Sequence, residues 1–255
     1  MKINVLGCSG GIGSGLRTTA LRVDASTLLD CGTGVGDLPL EELFQIKHVF
    51  ITHSHLDHVA GLPLLIDTIY EELLDEPLTV YCQEETYRVL MDHIFNWKIW
   101  PNFFSLPSEE KPVVRFVPMQ PEQNTVIDDK TFTMIEVEHT VPAVGYLVQD
   151  ISSSFAFSGD TASAPKLWQA LNQQNKVDLL IVECAFADER SEIANQAKHF
   201  SPTSLAKELT ALSHQPQVCV SHLQPGEEDK IMQELRAAMP QRNIRSICSG
   251  DILFL

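Results

Sequence analysis

The chain has 255 residues, of which 44% are hydrophobic; it can bury the core of one α/β domain and is not a disordered chain. Its formal net charge is −16, from 34 acidic and 18 basic residues, which argues against nucleic acid as a partner. No apolar stretch reaches the ~18 residues that a membrane span needs, and no signal peptide is visible, so we predict a cytoplasmic location without membrane contact.

Six cysteines are spread along the chain without a CxxC pair. Because this spacing is not that of a disulfide framework, we predict reduced, mostly buried thiols. Cys31 and Cys184 end predicted strands and are expected near the site described below. We do not expect them to be metal ligands, since histidines and carboxylates fill the candidate positions.

The first part of the chain is predicted to be rich in strands, at 2–7, 20–23 and 27–30. The glycine-rich stretch 8–15 does not fit the GxGxxG pattern of a nucleotide-binding loop, and no helical pattern follows it. We therefore predict a loop that joins two strands at the mouth of a site. Asp30 ends the third strand, where an aspartate is also a common turn residue.

Four potential metal ligands lie within six residues in the segment His53-Ser54-His55-Leu56-Asp57-His58. The apolar run 49–51 before it reads as a buried strand, and 59–74 after it has apolar residues at helical spacing. The ligand types therefore lie on a strand-to-helix loop, where side chains two residues apart can converge. Imidazoles with a carboxylate suit zinc, and also iron or manganese. The alternative is a polar turn that is rich in histidine.

The remaining elements follow from the same patterns. Helices are predicted at 38–44, 84–94 and 201–212, and strands at 78–82, 113–117, 131–137, 146–148, 155–158, 178–183, 218–221 and 250–255. Three residues each follow the end of one of these strands, namely His139, Asp160 and His222. An isolated residue of this kind is usually a hydrogen-bonded structural group.

We predict one domain over residues 1–255, with an aromatic-rich insertion at about 84–110. Within it, the segment 95–104 contains five aromatic residues in ten positions. Packing into the core is one interpretation. A lid over the site or a face that forms a homodimer is the other, because exposed aromatic patches mark contacts.

The segment 53–58 resembles the HxHxDH signature of the metallo-β-lactamase fold superfamily. This resemblance implies an α/β fold, a four-layer αβ/βα sandwich with a two-metal site at one edge. It also implies roles for individual residues: His53, His55 and His139 hold one metal, Asp57, His58 and His222 hold the other, Asp160 bridges the two, and Asp30 supports the metal loop from behind. The implied cofactors are two divalent ions, zinc first, with manganese and iron as alternatives.

Two further segments are similar to elements of the phosphodiesterase members of that superfamily. Glu183-Cys184 resembles their Glu-Cys element, and His199-Phe200-Ser201 resembles their His-x-Ser/Thr element. The resemblance implies that His199 contacts the phosphate and that Glu183 orients it. The alternative is a histidine at a helix start and a glutamate at a strand end, without chemistry.

The implied function is hydrolysis of a phosphodiester by a hydroxide that bridges two metals. The first substrate that we expect is a 3′,5′-cyclic nucleotide. Ribonuclease Z, which processes the 3′ end of tRNA, is the alternative within this class. A diiron protein that binds or senses oxygen is the alternative from another class. His55 stands where oxygen-reducing diiron members carry glutamate, which favours the hydrolytic branch.

Overall fold

The computed structural model describes residues 1–255, which form sixteen strands and nine α-helices. The strands are β1 (Lys2–Gly7), β2 (Ala20–Val23), β3 (Thr27–Leu29), β4 (His48–Phe50), β5 (Leu78–Cys82), β6 (Pro107–Ser108), β7 (Lys111–Pro112), β8 (Val114–Pro118), β9 (Asn124–Ile127), β10 (Lys130–Val137), β11 (Ala143–Gln149), β12 (Ser154–Phe157), β13 (Leu179–Glu183), β14 (Gln217–Ser221), β15 (Ile244–Ser246) and β16 (Ile252–Phe254). The helices are α1 (Leu40–Leu43), α2 (Leu56–Val59), α3 (Leu62–Thr68), α4 (Tyr70–Leu73), α5 (Glu84–His93), α6 (Pro165–Asn172), α7 (Ser191–Ala197), α8 (Pro202–Glu208) and α9 (Glu228–Ala238).

The strands form two seven-stranded sheets. The first has the order β16-β1-β2-β3-β4-β5-β8, and the second has the order β15-β14-β13-β12-β11-β10-β9. The first sheet comes from the two ends of the chain and its first half, and β6 with β7 forms a separate small hairpin. None of the helices combines the length and apolarity needed to cross a bilayer.

Successive side chains of the central strands point alternately to the two faces of their sheet, and the buried residues form three separate apolar layers. In β13, Leu179 and Ile181 join a core that contains residues from both sheets, whereas Leu180 and Val182 join the core that contains α6, α8 and α9. The first sheet has its own outer core with α2, α3 and α5. Because successive side chains of a strand point to opposite faces, each sheet has helices on one side and the other sheet on the opposite side. The predicted four-layer αβ/βα arrangement is confirmed.

The predicted long helix over 59–74 is wrong. This segment contains the short helices α2, α3 and α4, with a break at Gly61. A Cβ on Gly61 would lie 2.4 Å from the carbonyl oxygen of Gly32, so glycine permits a backbone contact there that any other residue would prevent. The helix predicted over 201–212 also ends early, at Glu208, and a 3₁₀ turn over Leu209–Ala211 follows it.

The aromatic segment 95–104 packs mainly into the outer core of the first sheet. Phe95 and Phe103 are buried there, and Trp100 and Phe104 pack against the same cluster. Trp97 is the exception, with 63% of its surface exposed. Core packing therefore accounts for four of the five aromatic residues, and only Trp97 is free for a contact outside the fold.

Candidate metal centre

Five strands deliver polar side chains to one edge of the sandwich. β10 and β12 both pair antiparallel with β11, and β12, β13 and β14 run parallel, so β10, β12, β13 and β14 end at the same edge. The loop after β4 reaches this edge from the first sheet. Two hydrogen bonds to β11 of the second sheet fix its position. Thr52 O accepts one from Val144 N (3.1 Å), and Ile51 O accepts one from the Tyr146 hydroxyl (2.9 Å).

Three imidazoles form one set of donors, which we call the histidine group: His53, His55 and His139. Their donor atoms lie within 4.8 Å of one another. His139 Nδ1 donates to the carbonyl oxygen of Lys198 (2.9 Å), so His139 Nε2 carries the lone pair, 3.1 Å from His55 Nδ1. Burial lowers the pKa of His53 and His55, and it lowers that of His139 to about 4. All three rings are therefore neutral at pH 7, the form that binds metal.

A second set, the carboxylate group, contains Asp57, His58, Asp160 and His222, also with donor atoms within 4.8 Å. Asp160 Oδ2 lies 3.1 Å from His58 Nε2, and Asp160 Oδ1 lies 3.4 Å from His222 Nδ1. The same Asp160 carboxylate approaches the histidine group, with Oδ2 3.8 Å from His53 Nε2. Asp160 therefore lies between the two groups.

Asp30 is a buried carboxylate that contacts His58 of the carboxylate group and, through Thr52, His53 of the histidine group. It accepts hydrogen bonds from His58 Nδ1 (2.7 Å), from the Thr52 backbone N–H (2.7 Å) and from the Thr52 hydroxyl (2.8 Å). Burial opposes the charged form of His58, but Asp160 and Asp30 outweigh it and raise the pKa of His58 well above its usual value. A cation bound between His58 and Asp160 would displace that proton, the expected coupling between metal binding and protonation.

The donors fit divalent metal ions on two observations. First, His53 Nε2 and His222 Nδ1 are buried without a hydrogen-bond partner, although buried imidazole nitrogens normally have one. Second, five imidazoles and two carboxylates at one point form a nitrogen- and oxygen-rich set of the kind that zinc, iron and manganese accept. Burial raises the pKa of the Cys31 and Cys184 thiols, and neither residue belongs to the two donor groups.

His199 lies above both groups. Its ring centroid is 5.0 Å from that of His139 and 5.2 Å from that of His222. Its Nδ1 is 2.8 Å from Glu183 Oε1, and although burial opposes the charge, Glu183 raises the pKa of His199 to about 9. Glu183 also accepts the backbone N–H groups of Thr161, Ala185 and Phe200, so the orientation of this carboxylate is fixed by four donors.

The backbone is strained at this edge. Asp30, Lys198 and His222 have positive φ values of 58°, 55° and 58°. Non-glycine residues in this region cost free energy and concentrate at functional sites. His222 N donates to the carbonyl oxygen of Cys8 (2.6 Å), and a Cβ on Gly10 would lie 2.9 Å from the carbonyl oxygen of His222. The glycine-rich loop therefore borders the centre, as predicted.

An open cavity of about 790 Å³ adjoins the histidine group at His139. Its lining is mainly polar and includes the carboxylates Glu85, Glu136 and Glu138 together with Lys166. No aromatic residue and no residue of the segment 95–104 lines it. The cavity has the volume of a small-molecule site, and His139 is the only residue of the two donor groups that lines it.

The structure thus brings together all the predicted residues: His53, His55, Asp57, His58, His139, Asp160, His222, His199 and Glu183. Their roles as ligands or catalytic groups stay predictions. Two contacts were not predicted, the Thr52 hydroxyl beside His53 and the Lys198 carbonyl on His139. The position of Thr52 directly before His53 was a usable signal for the first. Nothing in the sequence pointed to the second, because it involves the backbone.

The chain is similar in sequence to several known proteins. The family model described as the beta-lactamase superfamily domain matches residues 26–223. A probable 3′,5′-cyclic-nucleotide phosphodiesterase of Yersinia pestis is 28% identical over 204 residues, covering 71% of this chain and 57% of that protein. A ribonuclease Z of Natronomonas pharaonis is 28% identical over 171 residues, covering 64% of this chain and 52% of that protein.

Among solved structures, unliganded yeast PDE1 superimposes with a TM-score of 0.83 at 21% identity, covering 100% of this chain and 99% of that chain. At this identity the likeness concerns the fold. In the sequence alignments, the chain spans little more than half the length of the curated relatives that it matches.

Proposed function

The chain belongs to the metallo-β-lactamase superfamily, and from that premise we propose that it is a hydrolase of phosphodiester bonds with two divalent metal ions. The observation that carries the proposal is the meeting of two donor groups beside the His199–Glu183 pair. The histidine group would hold one ion and the carboxylate group the other. Asp160 would bridge them, since its Oδ2 is within 4 Å of a nitrogen in each group. The nitrogen-rich set favours zinc, with manganese and iron as alternatives.

When bound, such a pair of ions supplies positive charge for the phosphoryl oxygens and a water nucleophile at neutral pH. The protein supplies the proton for the leaving group. Glu183 accepts the Nδ1 hydrogen of His199 and keeps the ring protonated, which leaves Nε2–H to face the site. As the phosphorus–oxygen bond breaks, the leaving oxygen takes this proton. The attacking water releases a proton to solvent, from which His199 regains the one that it gave.

We propose a 3′,5′-cyclic nucleotide as the substrate. It carries one negative charge, which the centre can neutralise locally, and a nucleotide matches the size of the cavity beside His139. The carboxylates on the cavity lining and the net charge of −16 both disfavour a long polyanion. The similarity to proteins named 3′,5′-cyclic-nucleotide phosphodiesterase supports the same choice.

Cleavage of precursor tRNA is the second candidate, because several relatives are named ribonuclease Z. A tRNA must be held through many phosphates, and each contact needs a cationic or hydrogen-bond-donating group. The chain offers 18 basic residues against 34 acidic ones, and Lys166 and Lys198 beside the site are already paired with Glu136 and Glu138. We therefore rank it below the cyclic nucleotide.

A substrate panel on metal-reconstituted protein tests this ranking. We expect hydrolysis of at least one 3′,5′-cyclic nucleotide and of a nitrophenyl diester, with negligible cleavage of precursor tRNA at physiological salt. Efficient tRNA trimming without turnover of any cyclic nucleotide would reverse the ranking. Metal analysis with an absorption spectrum of the isolated protein tests the other class: iron with a visible charge-transfer band and no diester turnover would favour a diiron oxygen-binding protein.

A further inference from the structure

The Thr52 hydroxyl lies between a carboxylate and a candidate metal ligand. Its oxygen is 2.8 Å from Asp30 Oδ2 and 2.9 Å from His53 Nδ1, and all three residues are fully buried. No other side chain hydrogen-bonds to His53 Nδ1. The hydroxyl is therefore the only side-chain link from Asp30 to the histidine group.

Counting hydrogens along this link determines the state of His53. A hydroxyl has one hydrogen to donate, and an ionised carboxylate can only accept. Asp30 is surrounded by donors, namely the Thr52 N–H, the Thr52 hydroxyl and His58 Nδ1. The hydroxyl hydrogen therefore points to Asp30, and toward His53 the Thr52 oxygen can only accept. His53 Nδ1 must then carry the hydrogen of this bond, because two acceptors cannot hydrogen-bond to each other.

The result is a free lone pair on His53 Nε2, the nitrogen that has no partner and lies 3.8 Å from Asp160. His58 donates Nδ1–H to Asp30 directly, and its Nε2 lies 3.1 Å from Asp160 Oδ2. Asp30 thus orients one imidazole in each donor group. It holds His58 directly and His53 through the Thr52 hydroxyl.

We propose that Thr52 is a positioning residue that relays Asp30 to His53 and selects the His53 tautomer able to bind a metal. The proposal rests on the proposed metal centre. In the opposite arrangement, a proton on Asp30 would point to Thr52, the hydroxyl would donate to His53, and the hydrogen on Nε2 would block metal binding. Which nitrogen carries the hydrogen is therefore the quantity to measure.

The first measurement uses the metal-free wild-type protein. Long-range ¹H–¹⁵N NMR correlations distinguish the two neutral tautomers of a histidine ring, and loss of a signal in His53→Gln assigns it. We expect the Nδ1–H tautomer for His53. Observation of the Nε2–H tautomer would overturn the proposal, and this result needs neither a Thr52 variant nor bound metal.

The second measurement compares variants. Thr52→Val keeps the methyl group that faces Gly159 and removes only the hydroxyl. We expect a mixture of tautomers at His53 and a ~10–100-fold weaker zinc affinity in the histidine group, the usual effect of losing an outer-shell partner. Thr52→Ser should restore both. Thr27→Val, which changes a buried threonine of β3, is the matched control and should change neither.

An unchanged tautomer and unchanged zinc affinity in Thr52→Val would also overturn the relay. If Thr52→Val does not fold, the wild-type tautomer and Thr52→Ser decide the question. Failure of the proposed function gives a different result: the wild-type protein would bind no stoichiometric zinc, while the tautomer measured without metal would still test the relay.

Discussion

The two donor groups of the centre differ in charge, whereas each contains one partly exposed residue, His55 in the histidine group and Asp57 in the carboxylate group. The histidine group consists of three imidazoles that are neutral at pH 7, and His55 is partly exposed. The carboxylate group contains Asp57 and Asp160, with Asp30 directly behind His58. At similar distances, charge dominates the attraction of a divalent cation in a buried site. The carboxylate group should therefore bind its ion more tightly and fill first, although both groups offer enough donors.

Asp160 is the residue on which this difference depends most, because it is the one carboxylate near both groups. Asp160→Ala should reduce diester hydrolysis to background and lose at least one metal per chain. The loss should exceed the ~10–100-fold effect of an outer-shell change, since a charge between two cations is removed. Metal content by mass spectrometry and initial rates check this.

Asp178→Ala is the control for that variant. Asp178 precedes β13, at the end of the strand opposite to the centre, and accepts a hydrogen bond from Ser154 N (3.0 Å). It should keep two metals and full activity. Full activity of Asp160→Ala with two metals bound would rule out the proposed ligand assignment.

His199 lies within 4.8 Å of donor atoms of both groups, at His139 and Asp160. Because Glu183 holds its Nδ1, we propose that it donates a proton and binds no metal, so its removal should separate catalysis from metal binding. We expect His199→Ala to retain both metals and to lose ~10²–10⁴-fold in rate on diesters with poor leaving groups. The loss should be smaller on a nitrophenyl diester, which leaves without a proton. An equal loss on both substrates would argue against the proton-donor role.

The pH dependence of the same variant gives a second readout. Although burial opposes it, Glu183 raises the pKa of His199 to about 9 in the metal-free protein. The acid form is present below the raised pKa and is lost as the pH rises through it. The wild-type rate should therefore fall on the alkaline side, and His199→Ala should lack this decline.

The order in which the two sites fill tests directly whether the carboxylate group binds metal more tightly than the histidine group. Zinc titration of the metal-free protein should resolve a tighter and a weaker site. Asp57→Asn, which removes charge from the carboxylate group, should weaken the tighter site by more than the ~10–100-fold that loss of an outer-shell partner causes. His55→Ala should weaken the other site and leave the tighter one unchanged. The reverse assignment would show that charge does not set the order.

How far the sequence predicts this centre depends on the kind of contact. The segment 53–58 is visible because its donors are adjacent in the chain, and His139, Asp160 and His222 are visible because each follows a periodic strand. Their proximity came from family resemblance, since spacing alone does not give the order of strands in a sheet. The relay through Thr52 depends on one hydroxyl hydrogen, which no pattern records.

The fold shows the same limit. Central strands were predicted because they are buried and bounded by turns, whereas α6, α7 and α9 were not predicted at all. In α9 the signal existed, because the buried Ile231, Met232 and Leu235 have helical spacing. The break at Gly61 depends on a close approach to the Gly32 carbonyl, a tertiary contact outside any local window.

The smallest effect is expected from replacing the Lys198 side chain, because only the backbone carbonyl of Lys198 hydrogen-bonds to His139. Lys198 holds His139 through its carbonyl oxygen, has a left-handed backbone, and pairs its side chain with the exposed Glu138. Lys198→Gly removes an exposed ion pair worth ~0–1 kcal/mol and relieves a conformation that glycine adopts freely. We therefore expect the free energy of unfolding to change by less than ~1 kcal/mol, with both metals retained, as measured by denaturant titration and metal analysis. His139→Ala is the contrasting variant and should lose the metal of the histidine group. If Lys198→Gly lost that metal as well, the lysine side chain, and not its carbonyl, would be the group that orients His139.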